Sequence, residues 1–131
     1  VLSAIGWAST KNMPVLFIVE DNNLSILTEK KVRRNWEMHN VAKGFGLTAF
    51  NISDDPSDIK EHLDIGKVFE GPLLLNINTI RKYWHAGAGI DDKNVFDRYE
   101  KEMKDLGSEA QAIHEKTKLF INDLWQKQLE K

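Results

Sequence analysis

Cysteine is absent from the 131 residues, which removes disulfides, thiolate metal sites and cysteine nucleophiles and agrees with a reducing cytoplasm, the location we expect. No apolar stretch approaches the ~20 residues needed to cross a bilayer. Residues 1–7 are apolar but far shorter and lack a basic leader, so they read as part of a helix. Neither sign of charge is in excess: 18 Lys+Arg face 20 Asp+Glu, a formal net charge of −2. Nucleic acid and anionic membrane therefore have no electrostatic claim as partners. What is present, 41% hydrophobic and 29% charged residues, suits a single domain over residues 1–131.

Residues 2–12 favour a helix, and the break at Asn12, Met13 and Pro14 leads into "VLFIVE", a continuous apolar run that predicts a central strand buried on both faces. Residues 28–43 carry Val32, Trp36, His39 and Val41 at roughly helical spacing and predict one helix, with Gly44 and Gly46 as its stop. "LTAFNIS", residues 47–53, reads as a second strand. Asp55 before Pro56 is a helix start, because the carboxylate accepts from open backbone N–H groups while proline at the first helical position has none to satisfy; the helix runs to about Leu63. "GPLLLNINTI", residues 71–80, predicts a third strand behind a Gly-Pro breaker.

Beyond "WHAGAGIDD", residues 84–92, one helix is predicted from about Asn94 to Leu106 and a longer one from about Glu109 to Glu130. Ser108 and Gln111 have capping-box spacing, and Ala110, Ile113, Thr117, Phe120, Ile121, Leu124 and Trp125 form one face expected to pack on the sheet or on a partner. Strands alternating with helices predict an α/β fold: a three-layer, doubly wound, mainly parallel sheet.

In such sheets ligands bind outside the carboxyl ends of the strands. Two loops answer that position: residues 20–25, with adjacent Asn22 and Asn23, and residues 81–89, which are rich in glycine. Amide and carbonyl oxygens are hard neutral donors suited to Mg²⁺ beside a phosphate; the same asparagines are equally at home in a plain turn. Other features carry less. "HAGAG" contains no GxGxxG. His39, His62 and His114 have no metal-ligand spacing, the four tryptophans do not interleave with a basic strip, and Lys30, Lys31, Arg33 and Arg34 read as a solvated helix face.

"NMPVLFIVEDNNLSILT" resembles the end of the thiamine-diphosphate motif, in which a buried strand closes on an Asn pair. "GPLLLNINTIRKYWHAGAGID" resembles a block of the α chains of 2-oxo-acid dehydrogenases, where a strand ends in Thr-x-Arg before a loop histidine. The resemblance implies thiamine diphosphate and Mg²⁺ as cofactors. It implies that Asn23 binds the metal through its side chain, that Ser25 offers its carbonyl, that Asn22 supports the loop and that His85 is the active-site histidine. It further implies a β subunit that completes the site and a lipoyl-bearing acyltransferase that takes the acyl group. The family's Gly-Asp-Gly segment is expected about 25 to 30 residues before the Asn pair, and 21 residues precede Asn22. The resemblance thus makes the chain the carboxy-terminal part of the diphosphate-binding domain, inactive by itself, with a cut sheet edge that favours self-association. Leu24 replaces the family's usual glycine, and Ala86 replaces the serine whose phosphorylation silences mitochondrial relatives, so that switch is absent. Acetoin cleavage or simple decarboxylation, and a non-catalytic nucleotide- or protein-binding module of the same fold, are the alternatives.

Overall fold

The computed structural model describes residues 1–66, 70–87, 89 and 95–130. Its contacts separate Val1–Phe96 from Asp97–Lys131, and each unit is taken by itself. The first unit opens with α1 (Leu2–Thr10), which buries Ile5 and Ala8. The chain turns at Asn12, φ 47°, into β1 (Leu16–Asp21). A two-residue hairpin, β2 (Leu24–Ser25) and β3 (Thr28–Glu29), follows. Then come α2 (Lys30–Arg33), α3 (Met38–Gly44), β4 (Thr48–Ser53), α4 (Pro56–Gly66) and β5 (Leu73–Asn78).

Among the described residues β1, β4 and β5 form a parallel sheet in the order β1-β5-β4. Side chains alternate across it. One face, with Leu74 and Ala49, packs on Ile5 of α1 and on Met38 and Ala42 of α3. The other, with Leu73, Leu75, Ile77 and Ile52, packs on Ile59 and Leu63 of α4. Helices on both faces of a parallel sheet make the expected three-layer α/β fold. Leu74 and Leu75 are fully buried, each contributing on the order of 2 kcal/mol. As predicted, Asp55 caps α4, its Oδ1 accepting from Ser57 N at 2.9 Å.

Two expectations are corrected. The central strand is β5, not β1. β1 is an edge in which Leu16 and Ile18 stay 43% and 56% exposed, because α4 covers β4 and β5 on that face and leaves β1 open. The single helix predicted over 28–43 is broken as well. Arg34 is extended at φ −154°, ψ 149°, and Glu37 is extended at the start of α3. That break turns both side chains back toward Asp21 and Lys30, and it seats the Arg34 guanidinium 4.6 Å from the Trp36 ring.

The second unit holds α5 (Arg98–Leu106) and α6 (Ser108–Leu129). Asp97 caps α5 by accepting from Glu100 N at 3.1 Å. Gly107, at φ 62°, ends one helix and caps the next, so the expected Ser108–Gln111 box does not form; Gln111 instead donates to Glu115. On the predicted face of α6, Ala110 is buried and Ile113, Phe120, Ile121, Leu124 and Trp125 are exposed. The predicted helix start at Asn94 and residues 90–92 of the glycine-containing stretch lie outside the described residues.

Candidate active site

All three strands end level, with Asp21 and Ser53 both opposite Asn78. The backbone bond from Thr79 N to Asp21 O, 3.0 Å, extends the β1–β5 pairing one step into the loops. A cleft of about 700 Å³ opens there, its walls including Asn22, Asn23, Glu29, Thr79 and Arg81. The two loops singled out in the sequence therefore meet at one crevice, where open α/β sheets bind ligands.

Local bonding shapes the Asn pair. Asn22 Oδ1 accepts from Leu24 N at 3.0 Å, and Asp21 Oδ1 accepts from Asn23 N at 3.0 Å. These side-chain turns carry Asn23 into the left-handed region at φ 63°, which asparagine tolerates better than most residues. Positive backbone angles flank Leu24 and Ser25, falling on Asn23 and Ile26. Ile26 at φ 55° is strained, being β-branched. Arg81 Nη1 donates to Ile26 O at 2.6 Å, tying the hairpin tip to the loop after β5.

Asp21 is the residue that sequence reasoning passed over. Its side chain is 8% exposed, and Oδ2 accepts from Lys30 Nζ and Arg34 Nη2, each at 2.9 Å. Glu37 also accepts from Lys30 at 2.9 Å. Burial pushes the Asp21 carboxyl up, but the bond from Lys30, the Asn23 amide and the charges of Lys30 and Arg34 outweigh it and hold the carboxyl below its ordinary value. Lys30 and Arg34 are thus not a solvated face: they turn inward at 18% exposure, while Lys31 stays in water. The available signal was their i, i+4 spacing behind an acid at the strand end.

Ser25, paired with Thr28 in the hairpin, and His85, exposed in the loop after β5, are not among the cleft-lining residues. Within that loop Trp84 N donates to Gly89 O at 3.1 Å, and the indole lies so close over Gly89 that a Cβ there would meet it at 2.8 Å.

The dehydrogenase E1 component family model matches residues 1–131. The chain belongs to that family. In the crystal structure of transketolase from Campylobacter jejuni subsp. jejuni, a similar arrangement is found at TM-score 0.55 and 21% identity, over 62% of this chain and 13% of that one; the likeness concerns the fold. No curated protein matches.

Enzymes of the dehydrogenase E1 family depend on thiamine diphosphate, and the donor set of this cleft can be held against that group. The amide N–H groups of Asn22 and Asn23, the Thr79 hydroxyl and the Arg81 guanidinium are hydrogen-bond donors on residues that line one crevice, which suits an anionic diphosphate. Among the described residues no group of three or more His, Asp or Glu could hold a metal ion alone. Asp21 is held by Lys30 and Arg34 and Glu29 by Lys31, so neither carboxylate is presented to the cleft without a cation.

Proposed function

We propose that this chain is the carboxy-terminal part of the diphosphate-binding domain of an α subunit in a thiamine-diphosphate- and Mg²⁺-dependent 2-oxo-acid dehydrogenase. The observation that carries the reading is the convergence of Asn22, Asn23, Thr79 and Arg81 on one cleft at the carboxyl ends of β1 and β5. The complete enzyme decarboxylates a 2-oxo acid and passes the acyl group to a lipoyl carrier. When bound, thiamine diphosphate supplies the carbanion chemistry.

This chain's residues hold and orient. By the resemblance Asn23 would hold Mg²⁺ through its side-chain oxygen and Ser25, which does not line the cleft, through its carbonyl, while Asn22 keeps the loop in shape through its bond to Leu24 N. His85 handles protons at the reacting end; an imidazole with an unperturbed pKa of ~6.5 suits that work. Its place rests on the resemblance of "TIRKYWHAG" to the family block. Two neutral oxygens are a weak set for a strongly hydrated ion, so the chain alone binds poorly, and a β subunit completes the site.

Calorimetric titration of Mg²⁺-thiamine diphosphate into this chain, and into the whole α chain purified with its β subunit, tests the reading. Binding is expected in the complex only and is lost with Asn23→Ala; an Asn23→Ala complex that binds like wild type overturns it. His85→Asn is expected to lower turnover about 100-fold with binding retained. Products formed with and without a lipoyl acceptor separate this activity from acetoin cleavage. A non-catalytic module of the same fold is the second reading, favoured by the exposure of His85 outside the cleft lining; a complex that never binds the cofactor supports it.

A further inference from the structure

We infer that Asp21 and Lys30 are positioning residues for Asn23: they lock the backbone of that asparagine and leave its side chain to meet a cation, an assignment that rests on the Mg²⁺-diphosphate reading above. The bonds close a ring. Asp21 Oδ1 accepts from Asn23 N at 3.0 Å, Lys30 N donates to Asn23 O at 2.8 Å, and Lys30 Nζ returns to Asp21 Oδ2 at 2.9 Å. Both polar groups of the Asn23 backbone are thereby engaged, at φ 63°, an angle that asparagine tolerates but does not hold unaided. Among the described residues the Asn23 side-chain amide enters no hydrogen bond, and the residue is exposed and lines the cleft. Asn22 differs, its Oδ1 being committed to Leu24 N.

The ring is anchored from behind. Asp21, 8% exposed, also accepts from Arg34 Nη2, and Lys30 also donates to Glu37, each at 2.9 Å. Glu37 O in turn accepts from Val41 N at 3.1 Å in the first turn of α3, and α3 packs on the sheet through Met38 and Ala42. Asn23 is therefore fixed to a strand end on one side and to a core helix on the other, and does not rest on the two-residue hairpin strands alone. Rigidity of this kind matters most where the ligands are weak. An amide oxygen and a carbonyl are neutral, and a strongly hydrated ion exchanges water readily only for oxygens already in place. Groups that hold a metal ligand in its geometry contribute about 10- to 100-fold to metal affinity.

Amide exchange read by NMR on the chain without cofactor tests the ring itself. In the unsubstituted chain Asn23 N–H is expected to exchange at least fivefold more slowly than in an unstructured peptide. In Asp21→Ala that protection is lost while Leu75 N–H, in the middle of β5, stays protected, which shows the sheet intact. The metal role is tested on the whole α chain with its β subunit. Asp21→Ala is expected to raise the Mg²⁺ concentration for half-saturation, read by calorimetry at fixed thiamine diphosphate, by about 10- to 100-fold, with turnover at saturating Mg²⁺ within about threefold of wild type. Lys30→Met, which removes the ammonium and keeps the backbone N–H on Asn23, moves it in the same direction. A merely structural role would lower the amount of active complex and leave the half-saturation concentration unchanged. Half-saturation within twofold of wild type in both variants overturns the assignment, and so does an Asn23 N–H that is unprotected in the unsubstituted chain, whatever the complex binds. A wild-type complex that takes up no Mg²⁺-thiamine diphosphate overturns the cofactor reading and the metal role with it, even where the exchange result stands.

Discussion

Asp21→Asn keeps the size of the side chain and removes its charge, which makes it a direct probe of the cluster under the Asn pair. In the wild type the carboxylate receives Lys30 and Arg34 at 2.9 Å and Asn23 N at 3.0 Å, at 8% exposure. After substitution Lys30 retains Glu37 at 2.9 Å, and Arg34 faces Glu37 at 3.9 Å. Removing one partner of a fully buried pair costs about 3–5 kcal/mol. Because Glu37 remains and the cations reach water, the expected loss here is about 2–3 kcal/mol. With a urea slope of about 1–3 kcal/mol per molar, the unfolding midpoint falls by about 0.7–3 M. The pH dependence follows from the direction of the shift. The folded carboxyl titrates below its ordinary 3.8, so its contribution is present above that value and is lost as pH falls through the folded-state value. The stability gap between wild type and Asp21→Asn should therefore be full at neutral pH and close in acid below pH 3.8. A loss under about 1 kcal/mol, or a gap that does not close in acid, would refute the reasoning.

Other substitutions probe the same framework. Ile26→Gly relieves a β-branched residue at φ 55° and should raise stability by about 0.5–1 kcal/mol after glycine's added unfolded-state freedom is counted; an unchanged or lower melting temperature contradicts this. Asn76 is fully buried and donates to Asn51 Oδ1 at 2.8 Å, yet its own Oδ1 accepts nothing from the described residues. Asn76→Leu should accordingly be neutral or stabilising by up to about 1 kcal/mol in chemical denaturation, and a loss above about 2 kcal/mol would show that the amide is needed. Gly66→Ala would bring a Cβ to 2.5 Å from Leu73 Cδ2 and should cost about 1–2 kcal/mol; a wild-type melting curve would show that Leu73 yields freely.

Elements governed by local chemistry are legible in the sequence. The Asp55–Pro56 start of α4 follows from capping, and β5 follows from a branched apolar run behind a breaker; both lie within a few residues of the prediction. What could not be read depends on neighbours distant in the chain. "VLFIVE" is equally apolar whether two strands flank it or one, so its edge position was hidden. The helix across 28–43 breaks for Asp21, which lies 13 residues before Arg34; periodicity does not register an ion pair of that span. The capping box at Ser108 yielded to Gly107, whose positive φ serves both helices. At the candidate site the meeting of the two loops was legible from strand-end polarity. The placement of Ser25 and His85 off the cleft wall depends on the hairpin and on the course of the loop around Trp84, and neither is encoded in spacing.

The level ends of β1, β4 and β5 set a tolerance on the whole cleft. Each strand advances ~3.3 Å per residue and reverses its side chains at every step. If one residue were inserted in β1, the Asn pair would be carried a full step past Thr79 and Arg81. The same step would also rotate Asp21 to the face that α4 shares and leave Lys30, Arg34 and Glu37 without the carboxylate that gathers them. Length variation in this part of the molecule should therefore collect in the hairpin between Ser25 and Thr28 or in the segment joining α4 to β5, where extra residues alter neither the height of the strand ends nor the face they present.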